Sequence, residues 1–360
     1  MTRALRCSSA ALRLAEARRF IDQFAPGDEV LLLGASRGAV DDLARSIAND
    51  KGATFGLHRF SFTQLAARIA ANELAAQGRA PSSGLGHEAV AARAAFEATH
   101  DEAIEYFAPV AQTPGFPKAL VRTLLELRLA GIAPAAITRL SRSGSDLAEL
   151  LDRVEALMAD AGTSDRASLF TTATKGLAAP ENRWAGMPLL LLDVPFDSDA
   201  ESAFLSALVQ RADTALITIA GGDERTIKQL AKRGLVVQPI DSSHPDTDLT
   251  RLSRFLFSSQ SPPERKASGE VIWFSAPGEE RECIEIARRM LKEAAAGVRF
   301  DEMAILIRSP QQYSGVLEHS LSRADIPAYF DRGPRRPHPA GRAFLAGRTH
   351  SPGHVRDRPT

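Results

Sequence analysis

The sequence predicts an α/β protein in which a doubly wound parallel sheet carries a helical insertion and is followed by a partial second α/β domain. Three observations favour this fold class. Short apolar runs alternate with helical stretches along most of the chain, and no strand-like run occurs between residues 78 and about 162. The third is the run Leu189–Asp193, four leucines and an aspartate. A short apolar run of this kind is typical of a strand buried on both faces of a parallel sheet, so we expect it to be the central strand.

Composition and charge exclude several classes of protein. Lys and Arg total 44, as do Asp and Glu, so a nucleic-acid surface would have to be a local patch. The two cysteines, Cys7 and Cys283, are too few for a zinc cage or an iron–sulfur cluster and favour a reducing cytosol. The eight histidines lack ligand spacing, and no metal site is predicted. No membrane span or signal segment is indicated, so we expect a cytoplasmic protein.

The first part of the chain alternates between strand and helix patterns. Leu5–Cys7 is a candidate first strand, and the helix after it, Ala11–Phe24, is ended by Pro26 and Gly27. Strands at Glu29–Leu33 and His58–Phe60 each precede another helix. The second of these helices covers residues 62–76, and Ser61 is a natural N-cap for it.

The helical insertion separates these units from the central strand. Its clearest helices are Pro117–Ala130 and Asp146–Ala161, and a further helix at Asp165–Gly176 leads back to the sheet. After Asp193 the alternation resumes with a helix at 199–210, a strand at 215–220 and a helix from residue 226. Such alternation predicts a parallel, doubly wound sheet.

The domain boundaries follow from composition. Gln260–Gly269 indicates a linker, and beyond it apolar runs at Val271–Ser275, Met303–Arg308 and Ala328–Phe330 predict strands around helices at 279–296 and 313–323. We assign residues 1–80 and 163–258 to the first domain, 81–162 to the insertion, 259–346 to the partial second domain and 347–360 to a disordered tail.

Asp193 stands where open α/β sheets bind ligands and where P-loop NTPases keep the acid that holds Mg²⁺. The phosphate-binding features are eroded. The turn Gly34–Gly38 lacks the Lys and Ser/Thr of a phosphate loop, so an ordinary tight turn is the favoured interpretation, although its amides could cradle a phosphate. When Cys7–Leu14 is laid on the same template, Arg13 falls at the lysine position and both glycines are absent, so the backbone cannot easily wrap a triphosphate.

Other charged residues near the predicted strand ends leave alternatives open. Asp197, Asp199 and Glu201 suit a helix cap better than a catalytic role. Asp223 follows a strand and two glycines; it could couple a nucleotide to a DNA groove or lie in a plain turn. The arginines from Arg332 to Arg358 could contact phosphates or belong to a solvated tail.

In their order and spacing, these segments resemble domain 1 of superfamily 1 helicases of the UvrD type, which have a RecA-like, P-loop NTPase-like fold. The likeness rests on the degenerate phosphate loop and on the segments 31–37, 60–66, 189–193 and 221–223, while 274–280, 303–308 and 326–330 resemble the opening of domain 2. More narrowly, 114–120 with 126–131, and 333–345, resemble the AddB-type subunit of bacterial double-strand-break repair helicase–nucleases. The resemblance covers residues 4–346.

This resemblance implies DNA ends and an AddA-type helicase–nuclease subunit as partners. ATP and Mg²⁺ would be used on that subunit, and the PD-(D/E)XK nuclease with its iron–sulfur cluster would belong to a C-terminal part absent here, so we expect no cofactor in this chain and interpret it as truncated or frameshifted. By position, Arg13 would stand near the lost phosphate-loop lysine and Asp193 at the acid that holds Mg²⁺. Asp223 would lie in the motif that follows, and Arg308 would match the arginine of domain 2 that approaches the phosphates. Val194 replaces the glutamate that would activate water.

Our leading hypothesis is a non-hydrolysing, DNA-binding scaffold in which no residue is catalytic and Phe60, Phe62 or Trp184 stacks on bases. The first alternative is a weakly active ATP-dependent helicase or NTPase whose ATP binding depends on Arg13 and Arg308. The second is a non-functional fragment that exposes an apolar sheet edge.

Overall fold

The computed structural model describes residues 2–82, 84–140, 142–179, 182–240, 246–256 and 258–330. The chain divides into two compact units, Met1–Ser243 and His244–Thr360. The division falls before the predicted linker at 260–269. The predicted tail and the arginines beyond residue 331 lie outside the described residues. None of the described helices is long and apolar enough to span a bilayer.

A six-stranded parallel sheet forms the centre of the first unit. The strands of this unit in the described residues are β1 (Thr2–Cys7), β2 (Val30–Gly34), β3 (Leu57–Ser61), β4 (Ala80–Pro81), β5 (Thr163–Ser164), β6 (Leu189–Leu192), β7 (Ala215–Ala220) and β8 (Val237–Pro239). Six of them pair in the order β3-β2-β6-β7-β1-β8, always in parallel. Because β6 lies between β2 and β7, the prediction that the leucine run is a central strand is confirmed.

The helices of the first unit follow the strands in the expected alternation. They are α1 (Ala10–Ile21), α2 (Arg37–Lys51), α3 (Phe62–Ala76), α4 (Gly84–His100), α5 (Ala108–Ala111), α6 (Phe116–Leu129), α7 (Pro134–Ile137), α8 (Gly144–Asp160), α9 (Arg166–Leu177), α10 (Asp199–Arg211) and α11 (Glu224–Lys232). Helix α3 begins after Ser61, whose side chain and that of Gln64 form a reciprocal capping box.

Helices cover both faces of the sheet. Successive residues of a strand point to opposite faces, so each strand packs against helices on both sides. Leu190 aligns with Leu32 of β2 and Leu216 of β7, and this row packs with α1 and α2. Leu191 points the other way and packs with residues of α3, α9, α10 and α11. This two-sided cover explains why β6 is apolar throughout. The α/β class with a doubly wound parallel sheet is therefore confirmed.

Residues 84–160 form helices with a core of their own, built chiefly from α4, α6 and α8. Asp146, in the first turn of α8, is buried within this region. Its Oδ2 accepts hydrogen bonds from the backbone N–H groups of Glu105 (2.9 Å) and Phe107 (3.0 Å). A hydrogen bond to a charged group contributes about 1.5–3 kcal/mol, so Asp146 fixes the connection between α4 and α5 onto α8.

Two contacts join this helical region to the rest of the unit. Strands β4 and β5 pair where the chain enters and leaves it. Arg128 of α6 donates through Nε to Asp165 Oδ2 (2.7 Å) and through Nη2 to Ser168 Oγ (3.0 Å), and it also pairs with Glu155 of α8. Asp165 is the N-cap of α9 and accepts from the N–H of Ser168. Arg128 therefore ties α6, α8 and α9 together.

The second unit is built on a helix pair. Helix α12 (Asp248–Phe255) has no buried residue, whereas α13 (Glu279–Ala295) and α14 (Pro310–Arg323) share a small apolar core. This core contains Cys283 and Ala287 of α13 and Leu317 and Leu321 of α14, and Ile326 closes it. The two helices predicted for this part of the chain are confirmed.

The three strands predicted for the second unit are wrong. The segments 271–275, 303–308 and 328–330 belong to no strand in the described residues, and no described backbone ladder joins them. Trp273 and Leu306 are 95% and 96% exposed, whereas a strand of a parallel sheet is covered on both faces. An apolar run suits a strand, but a strand also requires a neighbour for its N–H and C=O groups.

We predict that the attachment of the helical region weakens in acid. Burial raises the pKa of the Asp165 carboxyl, but the hydrogen bond and charge of Arg128 and the N–H of Ser168 outweigh burial and hold this pKa below its usual value. A depressed carboxyl pKa stabilises the fold above the unfolded pKa of about 4, and the stabilisation is lost as pH falls through the folded value. Arg128→Met should therefore lower the free energy of unfolding more at pH 7 than at pH 3, as measured by urea unfolding.

The matched control is Arg122→Met. Arg122 lies on the same helix but is exposed, and among the described residues its ion-pair partner is Glu126, so its substitution should change stability little at either pH. A cost for Arg128→Met that is the same at both pH values would show that the Asp165 charge does not contribute.

Candidate functional site

Arg13 and Asp193 meet at the carboxyl end of the sheet, although 180 positions separate them in the sequence. Arg13 lies in the first turn of α1, and Asp193 directly follows β6. Arg13 Nε is 2.9 Å from Asp193 Oδ1 and 3.0 Å from Oδ2. Because Arg13 is only 7% exposed, water screens this ion pair less than it screens a surface pair.

A third residue, Thr218 of β7, orients the carboxylate. The fully buried Thr218 Oγ1 donates to Asp193 Oδ1 at 2.8 Å, and the backbone N–H of Asp193 donates to Thr218 O at 3.2 Å. Asp193 itself has a left-handed backbone with φ of 50°, a conformation that costs a non-glycine residue about 1–2 kcal/mol. These hydrogen bonds hold the chain in that conformation and aim the side chain at Arg13.

The loop before Arg13 is too short to wrap a phosphate chain. Only Ser8 and Ser9 lie between β1 and α1, and Ser9 caps α1 by accepting from the N–H of Leu12. Arg13 Nη1 donates to Cys7 O, the last carbonyl of β1. The sequence predicted a degenerate phosphate loop in this region, and the structure has a two-residue turn there.

The neighbouring turn after β7 closes the same crevice. Strands β1 and β7 are adjacent, and the helices that follow them lie on opposite faces of the sheet, which is the arrangement that opens a ligand crevice in α/β folds. Here Gly221 lies against Ser8: a Cβ on Gly221 would be 2.8 Å from Ser8 Cα, and the Gly221 N–H donates to Cys7 O. Arg13 and this glycine turn thus occupy the crevice.

The two other positions taken from the helicase resemblance, Asp223 and Arg308, lie apart from the pair of Arg13 and Asp193. Asp223 is the N-cap of α11 and accepts from the N–H of Thr226 at 3.1 Å, which favours the plain turn over a coupling role. Thr226 Oγ1 in turn accepts from the N–H of Phe196 at 2.9 Å, which joins the loops after β6 and β7. Arg308 is exposed and belongs to the second unit.

Val194 and Glu201, which follow β6, are both buried. Val194 is buried in the core on one face of the sheet. Glu201 is also buried, where Ser198 Oγ donates to its Oε2 at 2.9 Å and Arg166 pairs with its Oε1. Glu201 Oε2 also accepts from the backbone N–H of Asp197 at 3.2 Å, which fits the capping role expected from the sequence. The described residues include no group of three or more His, Cys, Asp or Glu suited to a metal ion.

Two of the three aromatic residues proposed to stack on bases require correction. Phe62 is 5% exposed and packs edge-on against Phe196 and Phe204 in the core. Trp184 is also buried, with the Phe60 ring at 5.3 Å. Neither ring presents a free face to a base, because each fills space between elements. Phe60 is partly exposed, and the guanidinium of Arg37 lies 6.0 Å from its ring centre.

Comparison with known proteins assigns the chain to no family. No protein-family model matches the chain, and no curated protein matches it. The functional interpretation therefore depends on the site geometry.

Sequence reasoning did not identify Thr218 as part of the site. The visible signal is a hydroxyl residue within the otherwise apolar strand β7. Threonine suits a strand in any case, so only the pairing of β7 with β6, which places Thr218 beside the start of the Asp193 loop, reveals its role.

We predict energetic coupling between Arg13 and Asp193. Arg13 is buried but the Asp193 side chain is 31% exposed, so water compensates part of the charge left by removing one partner. Arg13→Met should therefore lower the free energy of unfolding by about 1–3 kcal/mol at pH 7. A double-mutant cycle of Arg13→Met and Asp193→Asn, followed by urea unfolding, should give a coupling of about 1–3 kcal/mol. Additive single effects would mean that the pair contributes nothing beyond its separate contacts.

Proposed function

We propose that this chain is a helicase-like, non-hydrolysing DNA-binding scaffold, related to the AddB-type subunit of double-strand-break repair complexes. The observation that carries the proposal is the ion pair between Arg13 and Asp193. In a RecA-like fold these positions belong to the phosphate-loop lysine and the Mg²⁺ acid. Here the two charges neutralise each other at 2.9 Å, so neither is available to a nucleotide.

Three further features support a nucleotide-type architecture without turnover. The acid follows a central parallel strand. The turn between β1 and α1 has two residues, whereas a phosphate loop needs a longer glycine-rich stretch. Val194 is apolar and buried where a catalytic glutamate would be needed. We therefore propose that any ATP hydrolysis occurs on a partner.

The N-termini of α2 and α3, which follow β2 and β3, are the part of the sheet edge best suited to DNA phosphates. Helix N-termini attract anions, and neither α2 nor α3 has an acidic residue in its first turn. Arg37 and Arg59 lie beside them and share one carboxylate, Asp41, at 3.4 Å each, so the pair keeps a net positive charge. Phe60 is the remaining aromatic candidate for stacking. By contrast, the N-terminus of α10 carries Asp199 and Glu201, which would repel phosphates.

We predict that the purified chain binds duplex DNA ends without using ATP. Fluorescence anisotropy with an end-labelled duplex at low salt should detect binding that is unchanged by Mg-ATP, and no phosphate release should be measurable. Arg37→Ala should weaken this binding about three- to tenfold, because one charge contact to the backbone is lost. Its matched control is Arg45→Ala on the same helix, two turns from the sheet edge.

The contradicting outcomes are specific. ATP turnover that is abolished by Asp193→Asn would establish the enzyme alternative. Absence of DNA binding together with a non-cooperative melt would favour the non-functional fragment.

The helical region is better suited to a protein partner than to DNA. Acidic residues outnumber basic residues across 84–160, and an acidic surface repels phosphates. Exposed apolar side chains on this region include Leu85, Phe96 and Leu140. We propose that it contacts an AddA-type motor subunit.

We predict that an AddA-type subunit co-purifies with this chain and that Phe96→Asp reduces its recovery. Phe96 is 64% exposed on α4, and a charge there would disfavour an apolar contact. The control is Phe55→Asp, because Phe55 is 73% exposed but lies outside the helical region. Equal recovery with both variants would exclude the Phe96 surface, and no recovery with the unaltered chain would contradict the proposed partner.

A further inference from the structure

A cleft of about 680 Å³ lies between the helical region and α9, away from Arg13 and Asp193. This volume is within the range of small-molecule sites, which are about 300–1,000 Å³. Its walls come from the C-terminal end of α3, the connection between α6 and α7, and one side of α9. The cleft therefore spans the joint that Arg128 and Asp165 hold together.

Three cationic side chains line this cleft: Arg79 from the turn between α3 and β4, Arg128 from α6 and Lys175 from α9. Arg128 is already engaged by Asp165, Ser168 and Glu155. Arg79 is half-buried, and neither Arg79 nor Lys175 forms an ion pair with any residue that the structure describes. A partly buried arginine without a counter-charge is unfavourable, so the cleft has a place for an anion.

Two acidic residues also line the cleft, and neither forms an ion pair with Arg79 or Lys175 in the part of the chain that the structure describes. Glu155 pairs with Arg128, and Glu73 accepts a hydrogen bond from Gln77 Nε2 at 2.6 Å. The cleft also has an apolar side, formed by the segment 132–134 and Ala179, and hydroxyl groups at Thr171 and Thr172. A polar side opposite an apolar wall suits a ligand that has both a charged group and an organic part.

We propose that this cleft binds a phosphate-bearing small molecule, with its phosphoryl group held by Arg79 and Lys175 and its organic part against 132–134. A phosphoryl dianion would supply the counter-charge that Arg79 lacks, through charge-assisted hydrogen bonds. Arg128 positions the joint and is not free to turn toward the ligand. The proposal is independent of the function proposed above, since it uses neither the sheet edge nor Arg13.

Isothermal titration calorimetry of the full chain tests this site, with inorganic phosphate, AMP and adenosine as probes. AMP should bind more tightly than inorganic phosphate, and adenosine should show no binding. Arg79→Ala and Lys175→Ala should each weaken AMP binding about tenfold or more, because each removes a charged contact. The matched control, Arg122→Ala, removes an exposed arginine outside the cleft and should leave AMP binding unchanged.

Melting temperatures of the variants identify misfolding. Lys175 is exposed, so Lys175→Ala carries the test if Arg79→Ala fails to fold. Phosphate binding with the same affinity as AMP would support the cationic half of the site and remove the role of the apolar wall. The proposal would be overturned if neither AMP nor inorganic phosphate binds, or if binding survives both substitutions. It would also be overturned if a single-stranded oligonucleotide, added as a fourth probe, is the one probe that binds.

Discussion

The ion pair between Arg13 and Asp193 is the contact on which the centre of the first unit depends. It joins the first turn of α1 to the end of β6, and Thr218 and the carbonyl of Cys7 connect it to β7 and β1. Four elements from two distant parts of the sequence, β1 with α1 and β6 with β7, are thereby fixed at one edge of the sheet. Because that edge is where parallel α/β sheets bind ligands, the pair decides both the stability of the crevice and what can enter it.

An internal ion pair changes how such a fold is stabilised. A bound ligand stabilises the native state according to its concentration and affinity, whereas a guanidinium supplied by the chain is always present. The sheet and its helices can therefore form without a ligand. The surfaces that we propose for function are the N-termini of α2 and α3, the acidic helical region and the cleft beside Arg128. Asp146 and Arg128 hold the helical region in place for such a role.

The sequence predicted the centre of the fold well because its signals are local. Four leucines in a row indicate a strand that is covered on both faces. The candidate role of Arg13 came from laying Cys7–Leu14 on a phosphate-loop template. Thr218 could not be predicted, since its role depends on strand pairing. An aromatic residue after a strand can stack on a ligand or fill the core, and only the packing of α9 and α10 against Phe62 decides. The prediction of strands in the second unit was wrong because an apolar run does not by itself supply a neighbouring strand for its backbone hydrogen bonds.

The most direct measurement is a crystal structure of the chain grown with Mg-ADP in excess. If the ion pair replaces the nucleotide, Arg13 Nε should stay about 3 Å from the Asp193 carboxylate, and no nucleotide should lie at the turn between β1 and α1. Ordered ADP on the amides of Ser9 and the first turn of α1, with Arg13 displaced and Mg²⁺ beside Asp193, would contradict it.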